Sequence, residues 1–325
     1  MRQLKLIFVS LMLVASIPAL AQYTDVINSN RPGVSKAAFS VGTNVLQFEV
    51  GGFSVKEEHT PLNYEISGFG IDFAARFGLL LEELEINMEG VYQNDSFSFN
   101  NAPETSRSNF RSFTIGAKYL VFDPYKNDEE DKPNIYSYHA NRKFKWKTLI
   151  PAVSVYAGVN FDSENNPFVP YSPIFAPSRE GGISPKIMVV TQNNFSGGWV
   201  FVMNFLKDRI GSDFSDFQYV LTLTHSFSDK WVLFGEAQGI KSDFYSDNIF
   251  RFGGAYLWSK DFQLDANIAF NTKDTPSVFN IAFGASYRLD WHKDKKIDNG
   301  GKVDDKVDTS KRKINKRKKK SDFDK

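Results

Sequence analysis

Four glutamates crowd one short stretch, Glu82, Glu83, Glu85 and Glu89 in "LEELEINMEG". Carboxylates packed this densely could hold a metal or share acid–base work. The spacing favours another use. On a strand, Glu83, Glu85 and Glu89 fall on one face, and Arg76, Lys118, Lys186, Arg251 and Arg288 stand on other segments as available partners. Such a set suits a charged, water-filled interior that selects solutes. The histidines His59, His139, His225 and His292 are scattered and lack metal-ligand spacing. His225 in "LTLTHSFS" shares parity with Tyr219, Leu221, Leu223 and Phe227. A lipid-facing histidine beside serines would suit a membrane lipase, yet no "GxSxG" accompanies it. It falls at a segment end, where an interfacial ring is the plainer reading. We therefore expect no catalytic residue, no metal site and no cofactor.

The elements that position these charges are strands. From about residue 43 the chain becomes a series of segments of two-residue period. "VLQFEVGGF" sets Leu46, Phe48 and Val50 against Gln47, Glu49 and Gly51. "SGFGIDFAARFG" sets Phe69, Ile71, Phe73 and Phe77 against Asp72 and Arg76. "LEINMEGVY" and "SFTIGAKYLVF" follow, the latter with Lys118 on its small or polar face. Further strands are expected over 148–160, 183–193, 198–206, 217–227, 231–240, 249–258, 262–271 and 278–290. In "FQLDANIAFN" Asp265 lies opposite Phe262, Leu264 and Ile268 in parity, and "VFNIAFGASYRLDW" puts Arg288 opposite Phe283, Tyr287 and Trp291. The count is about twelve, an even number, as single-chain outer-membrane barrels require.

Two architectures share this pattern, a soluble all-β sandwich and a membrane barrel. Aromatics make up 15% of the chain and many stand at segment ends, among them Tyr92, Trp199, Trp231, Trp258, Tyr287 and Trp291. That placement matches the interfacial girdles of a barrel. No run of about 18–20 apolar residues is present for a spanning helix, and no cysteine for a disulfide framework. "MRQLKLIFVSLMLVASIPALAQ" reads as a secretory signal, with Arg2 and Lys5 before an apolar run and "ALA" before Gln22. The expectation is an all-β transmembrane antiparallel barrel. It divides into a signal peptide (1–21), a periplasmic or mouth segment (22–42), the barrel (43–291) and a basic tail (292–325).

Connections alternate in length. "GLLLE", "NNFSGG", "FSDKW" and "SKD" are short; "KEEHTPLNY", "NDSFSFNNAPETSRSN" and the stretch 162–182 are longer. Short turns facing the periplasm and longer outer loops imply that both termini are periplasmic. The charged connection 123–147 breaks the rule as a long element on the short side. The tail, with "KRKINKRKKK", is too polar to fold alone. It could tether an acidic periplasmic partner or anionic headgroups; with an export signal, a nucleic-acid reading is discarded.

"INSNRPGVSKAAFSVGTNVLQFEVGG" resembles the opening of outer-membrane transporters grouped as the meta-pathway of phenol degradation family, in the versions found in Bacteroidota. The matching residues are Asn30, Arg31, Pro32 and Gly33, then Gly42, Gln47, Glu49 and Gly51. The chain has "SNRP" where many members have "TDRP". The resemblance implies an outer-membrane transporter, sometimes linked to aromatic or other hydrophobic compounds, and no catalytic residues. The expected function is a passive pore or transporter for small solutes, with outer-membrane lipid around it. Its lumen would be lined by Gln47, Glu49, Asp72, Arg76, Glu85, Glu89, Lys118, Arg251, Asp265 and Arg288. Arg31 is expected to fold into the mouth and meet a luminal carboxylate. The rival is a scaffolding barrel that docks a periplasmic partner through 123–147 and the tail.

Overall fold

In the computed structural model, residues 26–100, 102–125, 146–164, 166–168 and 181–292 are described. The signal peptide, most of the 123–147 connection with His139, and the tail from 293 onward lie outside the described residues.

Twelve strands form a closed barrel. They are β1 (Val45–His59), β2 (Tyr64–Gly78), β3 (Leu84–Phe99), β4 (Thr105–Phe122), β5 (Ala152–Asp162), β6 (Gly182–Phe195), β7 (Trp199–Asp208), β8 (Asp216–Ser226), β9 (Trp231–Ser242), β10 (Ser246–Ser259), β11 (Phe262–Asn271) and β12 (Ser277–Asp290). Each pairs antiparallel with its neighbour in sequence. β12 returns to β1 with Gln47 opposite Arg288, Glu49 opposite Ser286 and Gly51 opposite Gly284. Closure gives every strand two neighbours, as spanning in lipid requires, although β4 extends from Thr105 beyond its ladder with β5, which starts at Thr114.

The two faces invert the order of a water-soluble protein. Gln47, Glu85 and Lys118 are fully buried inside the ring, whereas Phe69 is 57% and Phe283 65% exposed on its outside. A soluble sandwich would bury those rings, because exposing each costs about 1.5–3 kcal/mol. Surrounded by acyl chains they cost nothing, and apolar side chains outside with polar ones inside are the arrangement of a membrane barrel. Trp199, Trp231, Trp258, Tyr287 and Trp291 are all exposed near the end of the barrel where β1 begins. Tyr92 is different. β3 runs on to Phe99, so Tyr92 is mid-strand, its ring 5.5 Å from that of Phe110.

The β1–β2 and β3–β4 hairpins are taller than their hydrophobic pattern. Strands β1 to β4 have 15, 15, 16 and 18 residues. The expected loops "KEEHTPLNY" and "NDSFSFNNAPETSRSN" are largely ladder, with His59 paired to Tyr64 and Phe97 to Thr105. Lys56, Glu57 and Glu58 put polar groups on both faces, so the apolar signal stops where lipid stops while backbone pairing continues. At the other end, the strand expected from 148 begins at Ala152, after a short 3-10 turn over Trp146–Leu149.

A charge placed on the outer belt tests the orientation of the faces. Phe283→Arg is expected to destabilise the barrel by about 2–4 kcal/mol in denaturant titrations in lipid, with Phe283→Leu near wild type. Equal stability of the two variants would contradict a lipid-facing Phe283.

Candidate functional site: a plugged lumen

The segment before β1 carries Asn, Ser, Gly and Pro without a strand period, and it enters the barrel. At its start the Ile27 N–H donates to the Lys260 carbonyl at the β10–β11 turn, 2.8 Å. At its finish the Asn44 N–H donates to Gly78 C=O at the end of β2, 3.1 Å. Both points lie at the same mouth, so residues 27–44 form a loop that rises into the lumen and comes back. Its peptide groups have no ladder to join, and buried peptide groups need partners. The inner wall supplies them.

The wall makes these contacts through side chains. The Asn28 carbonyl accepts from Gln47 Nε2 (3.1 Å) and Arg76 Nη1 (2.6 Å). The Asn30 N–H donates to Glu49, and its own side-chain oxygen accepts from Ala37 N–H at 3.0 Å, closing the loop on itself. Gln263 donates to the Arg31 carbonyl and Asn267 to that of Pro32. Glu236 accepts from the N–H groups of Val34 and Ser35 while holding Thr222 and Arg251. Asn204 both accepts from Lys36 N–H and donates to Lys36 C=O. Gln192 takes the Ala38 N–H, Ser154 the Ala38 carbonyl, and Glu85 the Val41 N–H. Lys118 donates to the carbonyls of Ala37 and Phe39 at 2.8 and 3.0 Å.

Two cations of the plug anchor its apex. The Arg31 guanidinium pairs with Asp72 of β2 and with Asp265 of β11, and is itself 9% exposed. It lies flat over Gly51 and Gly284, facing partners on β1 and β12; a Cβ on either glycine would strike it. Lys36 pairs with Glu89, which also meets Lys186 at 3.2 Å, and its ammonium sits 4.7 Å from the centre of the Tyr156 ring. Below them Arg76 bridges Glu85 (2.9 Å) and Glu49 (3.1 Å) inside the wall. Breaking one partner out of such a buried pair costs about 3–5 kcal/mol, since the other charge is left without compensation.

One side of the lumen is apolar. Ala38 and Phe39 of the plug pack with Leu120, Ala152, Tyr156, Met188, Val190, Val202 and Leu206 from β4 to β7. The plug is thus docked between a greasy wall and a charged one.

All ten residues expected in the lumen stand on the inner wall. Gln47, Glu49, Asp72, Arg76, Glu85, Glu89, Lys118 and Asp265 touch the plug. Arg251 reaches it through Glu236, and Arg288 binds Asp261 at the mouth, 2.8 Å. Asn30, Arg31, Pro32 and Gly33 form the rising arm. Sequence reasoning missed Glu236, Asn204, Gln192 and Ser154 as plug contacts. Their inward parity was readable in strands of two-residue period, but nothing local marks a side chain as the partner of a peptide group far away in sequence. His225 stacks on Trp199 with ring centres 4.1 Å apart, at the girdle. Among the described residues no cluster of His, Cys, Asp or Glu could hold a metal.

The family model described as "Putative MetA-pathway of phenol degradation" matches residues 29–289, from the plug through β12. The chain belongs to this family. The matched span begins within the rising arm, so the plug and the barrel fall inside one family unit. Solved structures with a similar barrel include the COG4313 outer membrane channel from Pseudomonas putida F1, at 8% identity, TM-score 0.48, covering 81% of this chain and 100% of that one. The translocator domain of the autotransporter NalP from Neisseria meningitidis matches at 13% identity and TM-score 0.44 over 76% and 89%. The CymD monoaromatic hydrocarbon channel matches at 10% identity and TM-score 0.39 over 77% and 90%. No curated protein matches the sequence.

Because the native chain lacks cysteine, a single reporter reads the plug cleanly. Ala38→Cys, at a fully buried position, is expected to react slowly with a maleimide in the folded protein. Adding Arg31→Ala, or Gly51→Ala, should speed labelling at least about tenfold, the loss of a buried ion pair exceeding 1.4 kcal/mol. Unchanged labelling in both would show that Arg31 does not hold the plug.

Proposed function

We propose that this barrel is an outer-membrane channel for small solutes, with both termini in the periplasm and the plug as its constriction. The supporting observation is how the plug is attached. Residues 28–43 add no strand to the wall; they are held at the two ends of the loop and by side chains between. A scaffold barrel gains nothing from a lumen whose charges face a separable loop. A channel needs such an element, wide enough to pass a solute when displaced and tight enough to hold back larger ones. The family's description names phenol degradation, and small aromatic compounds are the solutes we assign to it. The charged groups on one wall and the apolar cluster on the other suit molecules that carry both characters.

Single-channel recording tests this reading. Wild-type protein is expected to conduct weakly, and Arg31→Ala/Lys36→Ala severalfold more, with noisier openings as the apex loses both anchors. A barrel that stays sealed to ions in both forms, and excludes phenol in liposome uptake, would leave the scaffolding role instead.

A further inference from the structure

Arg31 is seated by a single row of residues. Asp72 on β2 pairs with Gly51 on β1, Gly51 with Gly284 on β12, and Gly284 with Asp265 on β11. Four neighbouring strands thus contribute one inward row, Asp–Gly–Gly–Asp. With adjacent strands about 4.8 Å apart, the two aspartates stand roughly 14 Å from each other at the backbone. The glycines between them leave a flat floor.

The guanidinium of Arg31 fills this slot. Its Nε and Nη2 donate to Asp265 at 3.2 Å each, and its Nη1 donates to Asp72. A Cβ on Gly51 would fall on Nη1, Nη2 and Cζ, and one on Gly284 on Nε, Nη2 and Cζ, so the plane rests on both glycines. Carboxylates at two edges of a planar cation, over a floor without side chains, suit a guanidinium or amidinium better than a round ammonium.

The cation comes from the plug, while the slot belongs to the wall. Among the described residues Arg31 is the one ion-pair partner of either aspartate. Arg76, on the same strand as Asp72, is held by Glu49 and Glu85. Displacing the plug therefore leaves two carboxylates uncompensated, a costly state that another cation of the same shape would relieve. The slot is also open at one end. The Asp72 side chain is 35% exposed, whereas that of Asp265 is fully buried, so an incoming cation meets Asp72 first.

We propose that this slot is a binding site for small planar organic cations of the guanidinium and amidinium class, with Arg31 as the plug's own occupant of it. A solute of that class competes with Arg31 for Asp72 and Asp265 and frees the apex of the plug. This deepens the channel reading by adding a flat charged head to the aromatic solutes assigned above, and rests on it for the solute's route into the lumen.

Equilibrium binding of benzamidine to the full-length protein in detergent tests the slot without requiring flux. Calorimetry should show saturable binding to Arg31→Ala, at least about tenfold tighter than to wild type, where Arg31 competes. Benzamide, the uncharged analogue, should not bind, and benzylamine should bind more weakly. Adding Asp265→Asn to Arg31→Ala should cost at least about tenfold, and so should adding Gly51→Ala, which keeps every charge. In a second arm, benzamidine should speed maleimide labelling of Ala38→Cys in a chain that retains Arg31, and benzamide should not. Equal benzamidine binding by wild type and Arg31→Ala would overturn the proposal, as would binding indifferent to Asp265→Asn or Gly51→Ala, or benzamide binding as tightly. Heat-modifiable gel migration reports whether each variant is folded. Should Arg31→Ala fail it, the labelling arm decides, and no acceleration by benzamidine would overturn the proposal. Benzamidine bound through Asp265 in a barrel that conducts nothing would defeat the channel reading and leave the slot standing. Conduction without that binding would do the reverse.

Discussion

The structure depends on one requirement: a peptide segment drawn into a closed barrel must find a partner for each of its polar groups. Water in a narrow lumen is scarce, and the wall's own backbone is committed to its ladder. The partners are therefore side chains pointing inward, and their types follow from the task. Carboxylates and amide oxygens receive N–H groups, as Glu236, Gln192 and Glu85 do. Lysine, arginine and amide nitrogens serve the carbonyls, as Lys118, Arg76 and Asn267 do. The charged lumen of this protein is largely the receptor for its own amino-terminal segment.

That requirement also explains two glycines. Arg31 can sit between Asp72 and Asp265 only if its guanidinium lies against the sheet, and a side chain at Gly51 or Gly284 would lift it away. Gly33 has a similar part, since a Cβ there would meet the Glu236 carboxylate that holds the next two peptide groups. Position in the barrel decides these residues, because any residue may line a strand but only glycine allows this close an approach.

Much of the barrel was legible because its pattern is local. Alternation of Phe262, Leu264 and Ile268 with Gln263 and Asp265 states both strand and facing within ten residues. The pattern failed where a strand is polar on both faces, as in the upper reaches of β1 and β3, or apolar on both. In "KIMVVTQ" Ile187 and Val189 face outward while Met188 and Val190 are buried inside; there the inner apolar wall could be read as more lipid surface. The plug was legible only in part. Arg31 invited a carboxylate partner, but the choice of Asp72 and Asp265, and the full course of the loop, depend on contacts spanning most of the chain.

The seating of the amino-terminal segment inside the lumen is the central claim, and a cross-link tests it most directly. The side-chain oxygens of Ser29, on the plug, and Ser286, on β12, are 2.7 Å apart. In this cysteine-free chain, Ser29→Cys/Ser286→Cys should form an internal disulfide almost completely under mild oxidation of the folded protein, shifting its migration after denaturation. Free thiols at both positions under those conditions, in protein that is folded by heat-modifiable migration, would contradict a plug seated in the barrel.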